Sequence, residues 1–215
     1  MNENLFEAKY DVTKKSRLVH FYESNKVLIF SSIFVLFTTF IGINFYLDSK
    51  EKKRLLLSEN YLEAKVYLES GDKDKATEIL KKVVFSNDKT YSTLSLFLIV
   101  NQNLVSGSNE LLDLFEHLLS NNQFSNEERN LLIYKKTLLN SNSIEESELL
   151  NSLKPLLHED TYWKPHALIL LGDYFVSRGD KIKAIEFYTK IFSISNLHND
   201  IYNHARSQIA AISNE

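Results

Sequence analysis

The chain has 215 residues, 44% hydrophobic and 25% charged, a balance too apolar for a disordered polymer and ordinary for a folded one. Its net charge of -3 gives no footing for nucleic-acid binding, and the absence of cysteine excludes disulfides, thiolate metal sites and cysteine catalysis. Five glycines and two prolines are too few to punctuate many short strands, so an all-α fold is expected.

Residues 1–26 form a polar tail of mixed charge with a few aromatics (Phe6, Tyr10, Phe21, Tyr22), either disordered or a short helix at a membrane surface. Residues 27–47 follow without a single charge, closed by Lys26 and Asp48. At 1.5 Å per residue this stretch spans roughly 31 Å, the thickness of a bilayer's hydrocarbon. Fourteen of the 21 side chains are Val, Leu, Ile or Phe. At about -0.4 kcal/mol each they contribute about -6 kcal/mol to insertion, against smaller costs from Ser31, Ser32, Thr38, Thr39 and Asn44. A cleaved signal would need a shorter apolar run and small residues at its end, where Phe45-Tyr46-Leu47-Asp48 stands instead. The expectation is an uncleaved transmembrane helix with Tyr46 at the interface. Lys50, Lys52, Lys53 and Arg54 then hold it in register against lipid headgroups. Five basic residues precede the span and four follow it closely, so charge counting leaves the orientation open.

Residues 48–215 carry apolar positions at three- and four-residue spacing throughout. The hexapeptide Gly71-Asp72-Lys73-Asp74-Lys75-Ala76 returns as Gly179-Asp180-Lys181-Ile182-Lys183-Ala184, an offset of 108 residues. With weaker turns at Ser106-Gly107-Ser108 and Asn140 to Ser143, the markers Gly71, Gly107, Asn142 and Gly179 step by 36, 35 and 37 residues. That is the period of a helix-turn-helix repeat, and it predicts an α-solenoid of four hairpins. Helices are expected over 53–70 and 73–85, 91–105 and 109–119, 126–139 and 144–157, 162–178 and 181–195, with a closing helix over 199–212. Gly71 and Gly179 permit the positive φ that ends a helix, and Asp72, Asp88, Asp180 and Ser125 with Glu128 supply caps. Pro165 suits a first turn, whereas Pro155 should kink or end its helix. Ala76, Ala184 and Gly172 are small where paired helices cross, and Leu168, Leu171, Phe175, Tyr188 and Ile191 should fill the crossing.

Leu171-Gly172, Phe175, Gly179-Asp180, Ala184 and Tyr188 resemble the tetratricopeptide repeat pattern, with Leu168 in place of its Trp and Asn196 in place of its closing Pro. The first hairpin keeps Ala64, Tyr67, Gly71-Asp72, Ala76 and Leu80, and the middle two keep only the period. The layout of tail, single anchor and degenerate array ending in Trp163, Leu171-Gly172-Asp173 and Gly179-Asp180-Lys181 resembles the YfgM-type ancillary subunits of the bacterial SecYEG translocon. That resemblance implies an inner-membrane protein with a cytoplasmic N-terminus and a periplasmic repeat body. Its implied partners are the translocon and a membrane-anchored periplasmic chaperone of the prolyl-isomerase type.

Chemistry is sparse. The six histidines (His20, His117, His158, His166, His198, His204) show no i, i+4 pair and no HExxH, so neither a metal nor any other cofactor is expected. Glu145, Glu146 and Glu148 fall at a helix start, where they offset its dipole. Tyr162 and Trp163 precede an apolar helix and are expected to pack. No phosphate loop or nucleophile elbow occurs, and the chain is not expected to be an enzyme.

The remaining candidate is the surface made by the first helix of each hairpin. By repeat phase it presents Ser58, Tyr61, Lys65, Leu68 and Glu69 from the first hairpin and His166, Ile169, Asp173, Val176 and Ser177 from the last. In a degenerate array the closing helix can fill this groove instead. The expected function is a non-enzymatic scaffold ancillary to the translocon, linking it to chaperones or clients by raising local concentration. Alternatives of the same architecture are an adaptor for cytochrome maturation, cell-wall synthesis or lipoprotein handling, and a cytoplasm-facing targeting receptor. An enzyme or metal sensor would need a convergent polar cluster.

Overall fold

The computed structural model describes residues 17–158 and 161–214. Among them every regular element is helical and there is no strand. The elements are α1 (Arg17–Glu69), α2 (Lys73–Val84), α3 (Lys89–Asn101), α4 (Ser108–Asn121), α5 (Asn126–Asn140), α6 (Glu146–Leu153) with a 3-10 turn (Lys154–Leu157), α7 (Lys164–Ser177), α8 (Lys181–Ile191) and α9 (Asn199–Ser213). The chain divides into two units, one up to Leu55 and one from Leu56. Phe6 and Tyr10 of the tail lie outside the described residues, and its last ten residues, from Arg17, are already part of α1.

In the first unit, α1 is the one helix long and apolar enough to cross a membrane among the described residues. Between Val27 and Leu47 its side chains face outward, with Ile29 alone half-buried. Ser32, Thr38, Thr39 and Asn44 within this stretch bond back to their own helix. Ser32 Oγ donates to the Leu28 carbonyl at 2.8 Å, Thr39 Oγ1 to Val35 at 2.8 Å and Asn44 Nδ2 to Phe40 at 2.8 Å. Each such bond spares a polar group from facing hydrocarbon unpaired, which lowers the cost that these residues add to insertion.

In the second unit the helices form the four hairpins that the repeat period predicts, closed by α9. Gly71 and Gly179 adopt φ of 87° and 76°, and the chain closes each turn by bonds back into the preceding helix. Asp72 Oδ1 accepts from the Lys75 amide and Asp180 Oδ1 from the Lys183 amide, both at 3.1 Å. Ser125 and Glu128 complete a capping box, and Asp88 caps α3. Pro155 ends α6 and tightens the chain into the 3-10 turn, since its missing N–H breaks the α ladder.

The first and second helices of successive hairpins meet like with like. First helices meet through Tyr61 and Tyr91 (α1–α3), Lys89 and Glu128 (α3–α5) and Tyr134 with His166 (α5–α7). Second helices meet through Lys81 and Glu110 (α2–α4) and Lys183 and Glu146 (α6–α8). These exposed ion pairs set register more than they add stability. Apolar burial supplies the stability. One cluster gathers Ala64, Ala76, Leu80, Leu96, Ile99 and Phe115, another Leu149, Leu153, Leu171, Phe175, Ala184 and Tyr188, and Ile133 packs against both.

Two details correct the sequence expectation. The second turn is not made by Gly107, which has φ of -84° and precedes α4 as its N-cap. Asn103, at φ 48°, takes the left-handed position after α3 instead. Tyr162 does not pack: it is 86% exposed, because the turn before α7 points it away from the aromatic contacts that Trp163 makes. Asn196 has φ of 56°, which explains why no proline stands there, since the pyrrolidine ring holds φ near -65°.

Candidate functional site

The candidate residues separate into two places. In the first hairpin, Tyr61 and Leu68 are half-buried and partly committed to the core beneath, and Ser58 is half-buried as well. Lys65 and Glu69 are exposed. Tyr61 meets Tyr91 with ring centroids 6.3 Å apart, so the aromatic surface there runs from α1 onto α3.

In the last hairpin, Ile169 packs against the core and Val176 and Ser177 face solvent. His166 and Asp173 anchor the more structured region. Pro165 fixes the first turn of α7, which aims His166 at rings contributed by α5 and by the turn before α7. Trp163 stacks on Tyr134 at 5.5 Å, and His166 lies 5.3 Å from Trp163 and 5.9 Å from Tyr134, edge-on to the latter. His166 Nδ1 is buried and makes no hydrogen bond to the protein. Burial holds this imidazole below its ordinary pKa, so it is neutral at neutral pH.

Two helical turns further along α7, Asp173 accepts a 2.5 Å hydrogen bond from the Tyr188 hydroxyl on α8. His204 Nε2 of α9 comes within 3.6 Å of the same carboxylate. Burial, and then the carboxylate, push the Tyr188 phenol well above its usual range. Tyr134 is raised by burial and secondarily by Asp173. Both phenols therefore stay protonated, and that of Tyr188 donates to Asp173. The closing helix reaches the Asp173 end of α7 through His204, while the His166 end stays open as a cleft bordered by the first turn of α9.

At that open end a cleft of about 1100 Å³ lies between the start of α7 and the α8–α9 connection. Tyr162, Pro165, His166, Leu197, His198 and Ile201 line it. Its walls mix these apolar side chains with Thr161, Ser195, Asn196, Asn199 and Asp200, and two imidazoles, His166 and His198, border it. Among the described residues no group of three His, Asp or Glu side chains is placed to hold a metal ion.

The sequence reading named His166 and Asp173 but missed Tyr134, Leu197, Ile201 and His204 as their neighbours. Tyr134 comes from the preceding hairpin and the other three from the closing segment. Repeat phase describes one hairpin at a time and carries no signal for either. Compared with known proteins, the chain matches no family model, no curated protein and no solved structure.

Proposed function

We propose that the chain is a membrane-anchored, non-enzymatic scaffold whose stacked hairpins hold other proteins close to a bilayer. One observation carries this reading: a single chain joins a bilayer-length, outward-facing apolar helix segment to a body of helical hairpins with an open cleft. An anchored binding surface raises the local concentration of whatever it holds, and needs no turnover to be useful.

The resemblance to YfgM-type subunits supports a finer version. The body then lies in the periplasm of a bacterial envelope, next to the SecYEG translocon, and receives a prolyl-isomerase-type chaperone or an emerging client. Tyr61, Lys65, Leu68 and Glu69 at one end, with His166, Ile169, Asp173 and Val176 at the other, are the surface offered to them. Crosslinking in native membranes tests the partners, and enrichment of translocon subunits and chaperones is expected. Protease accessibility in spheroplasts tests the side, with digestion of the body expected from outside. A body protected in spheroplasts and digested in inverted vesicles overturns the periplasmic assignment. An accessible body without translocon enrichment points to another envelope assembly process.

A further inference from the structure

The two ends of the hairpin array are finished differently. At the C-terminal end α9 packs on α7 and α8 and buries Ala205 and Ile212. It turns Asn203, Arg206 and Ser207 to solvent. A stack of repeats requires such a polar outer face at each end, because the last layer has no neighbour to cover it. Among the described residues the N-terminal end has a mixed outer face, apolar side chains set among charges. There α1 turns Ala64 inward with Tyr61 and Leu68 partly buried beside it. On the opposite face Leu62 and Val66, one helical turn apart, are 55% and 61% exposed. Glu59, Glu63 and Glu69 surround them, with Lys65 on the same face and Lys75 near Glu63 as the nearby cations among the described residues.

We propose that this outer face of α1 docks an amphipathic helix rich in lysine and arginine from a different protein. Leu62 and Val66 form the ridge that a second helix packs across, and the surrounding carboxylates select its charge. A second copy of the chain fits poorly. Parallel pairing sets Glu59 and Glu69 against their own counterparts. Antiparallel pairing with Leu62 on Val66 brings Glu59 onto Glu69, nearer the seam than the favourable Glu63–Lys65 pairs. The proposal rests on the scaffold reading above and gives it a defined surface and partner chemistry.

The test uses the full chain in phosphatidylcholine nanodiscs, with empty nanodiscs as reference, and two labelled 18-residue amphipathic peptides. One carries leucine and lysine, the other leucine and glutamate. The intact chain is expected to prefer the lysine peptide by about tenfold or more. The triple variant E59K, E63K and E69K should reverse that preference, and L62D with V66D should bind neither peptide. All substitutions lie at exposed positions, and unchanged thermal melting confirms that each variant folds. Equal binding of both peptides, an unreversed preference in the triple variant, or no binding above empty nanodiscs overturns the proposal. So does a photocrosslinker at Val66 that captures a second copy of the chain. If translocon crosslinking succeeds while the peptide preference fails, only this docking face falls. If the preference holds and translocon crosslinking fails, the face stands and the translocon assignment falls.

Discussion

Gly172 on α7 lies directly under the ring of Tyr188 on α8: a Cβ built on Gly172 would fall 2.6 Å from Cζ and 2.7 Å from Cδ1 of that ring. Tyr188 is fully buried and tied to Asp173, so its ring has nowhere to retreat. Alanine normally stabilises a helix interior over glycine by about 1 kcal/mol, but overpacking here costs about 1–3 kcal/mol and wins. Gly172→Ala should therefore lower the urea midpoint. Adding Tyr188→Leu should destabilise by less than the sum of the two single changes, because the smaller side chain relieves the overlap. Strict additivity would show that the two residues do not compete for space.

The turns between paired helices depend on glycine at a left-handed φ. Gly179→Ala forces a Cβ into that conformation at φ 76°, with no neighbouring atom to blame, and should cost about 1–2 kcal/mol. Asp180→Ala should cost about 1 kcal/mol through loss of the cap on Lys183 N. Denaturant unfolding measures both, and a neutral Gly179→Ala would argue that the turn relaxes to another geometry.

Glu128 gives an acid-sensitive clasp. Lys89 at 2.8 Å, followed by the Ser125 amide and hydroxyl, holds its carboxyl from the ordinary 4.5 down to about 2. A lowered carboxylate pKa means stability fully present above about pH 4.5 and lost as pH falls toward 2. Glu128→Gln should be less stable than the parent at neutral pH, and the gap should close between pH 4.5 and 2. A gap that persists at pH 2 would assign the effect to packing.

The chain has one tryptophan, and His166 sits 5.3 Å from it. Imidazolium quenches indole emission, so Trp163 fluorescence should fall as His166 protonates, with a midpoint below 6.5. The folded state resists protonation that the unfolded chain accepts at 6.5, so stability should also decline as pH drops from above that value and level off below the folded midpoint. His166→Gln should abolish the fluorescence titration. A titration that survives the substitution would point to another quencher.

Insertion of Val27–Leu47 can be tested by arithmetic. One arginine at the centre, Phe37→Arg, costs about 2.5–3.5 kcal/mol against the about -6 kcal/mol available, so most of the protein should still be integrated into membrane. A second at Phe34 removes the remaining margin and should release the chain to the carbonate-soluble fraction. Loss of integration with one arginine alone would mean that the segment is a weaker anchor than its composition implies.

The helix boundaries were legible because their causes are local. Gly71-Asp72 and Gly179-Asp180 stop one helix and start the next within four residues, and Ser125 with Glu128 marks α5 to the residue. Turns without such chemistry were harder to read. Asn87, Asn103 and Asn196 take left-handed φ values that asparagine tolerates without announcing, and so the second turn was assigned to Gly107. Tyr162 and Trp163 are adjacent in sequence and alike in character, yet one is exposed and the other stacks on Tyr134. Backbone direction before α7 separates them, and no periodicity encodes it.

What the sequence determined by itself is the helical class, the bilayer-length apolar segment and the four hairpins, since helix period, caps and positive-φ glycines act within one or two turns of chain. Only the tertiary structure decided that Tyr134 meets Trp163 and His166, that Tyr188 binds Asp173 while His204 closes on it, and that Leu62 and Val66 face water at one end of the stack. Those contacts join the two helices of one hairpin, different hairpins, or a hairpin and the closing helix. Their existence depends on how whole helices stack, a quantity set by the sum of many side-chain volumes and carried by no short stretch of sequence.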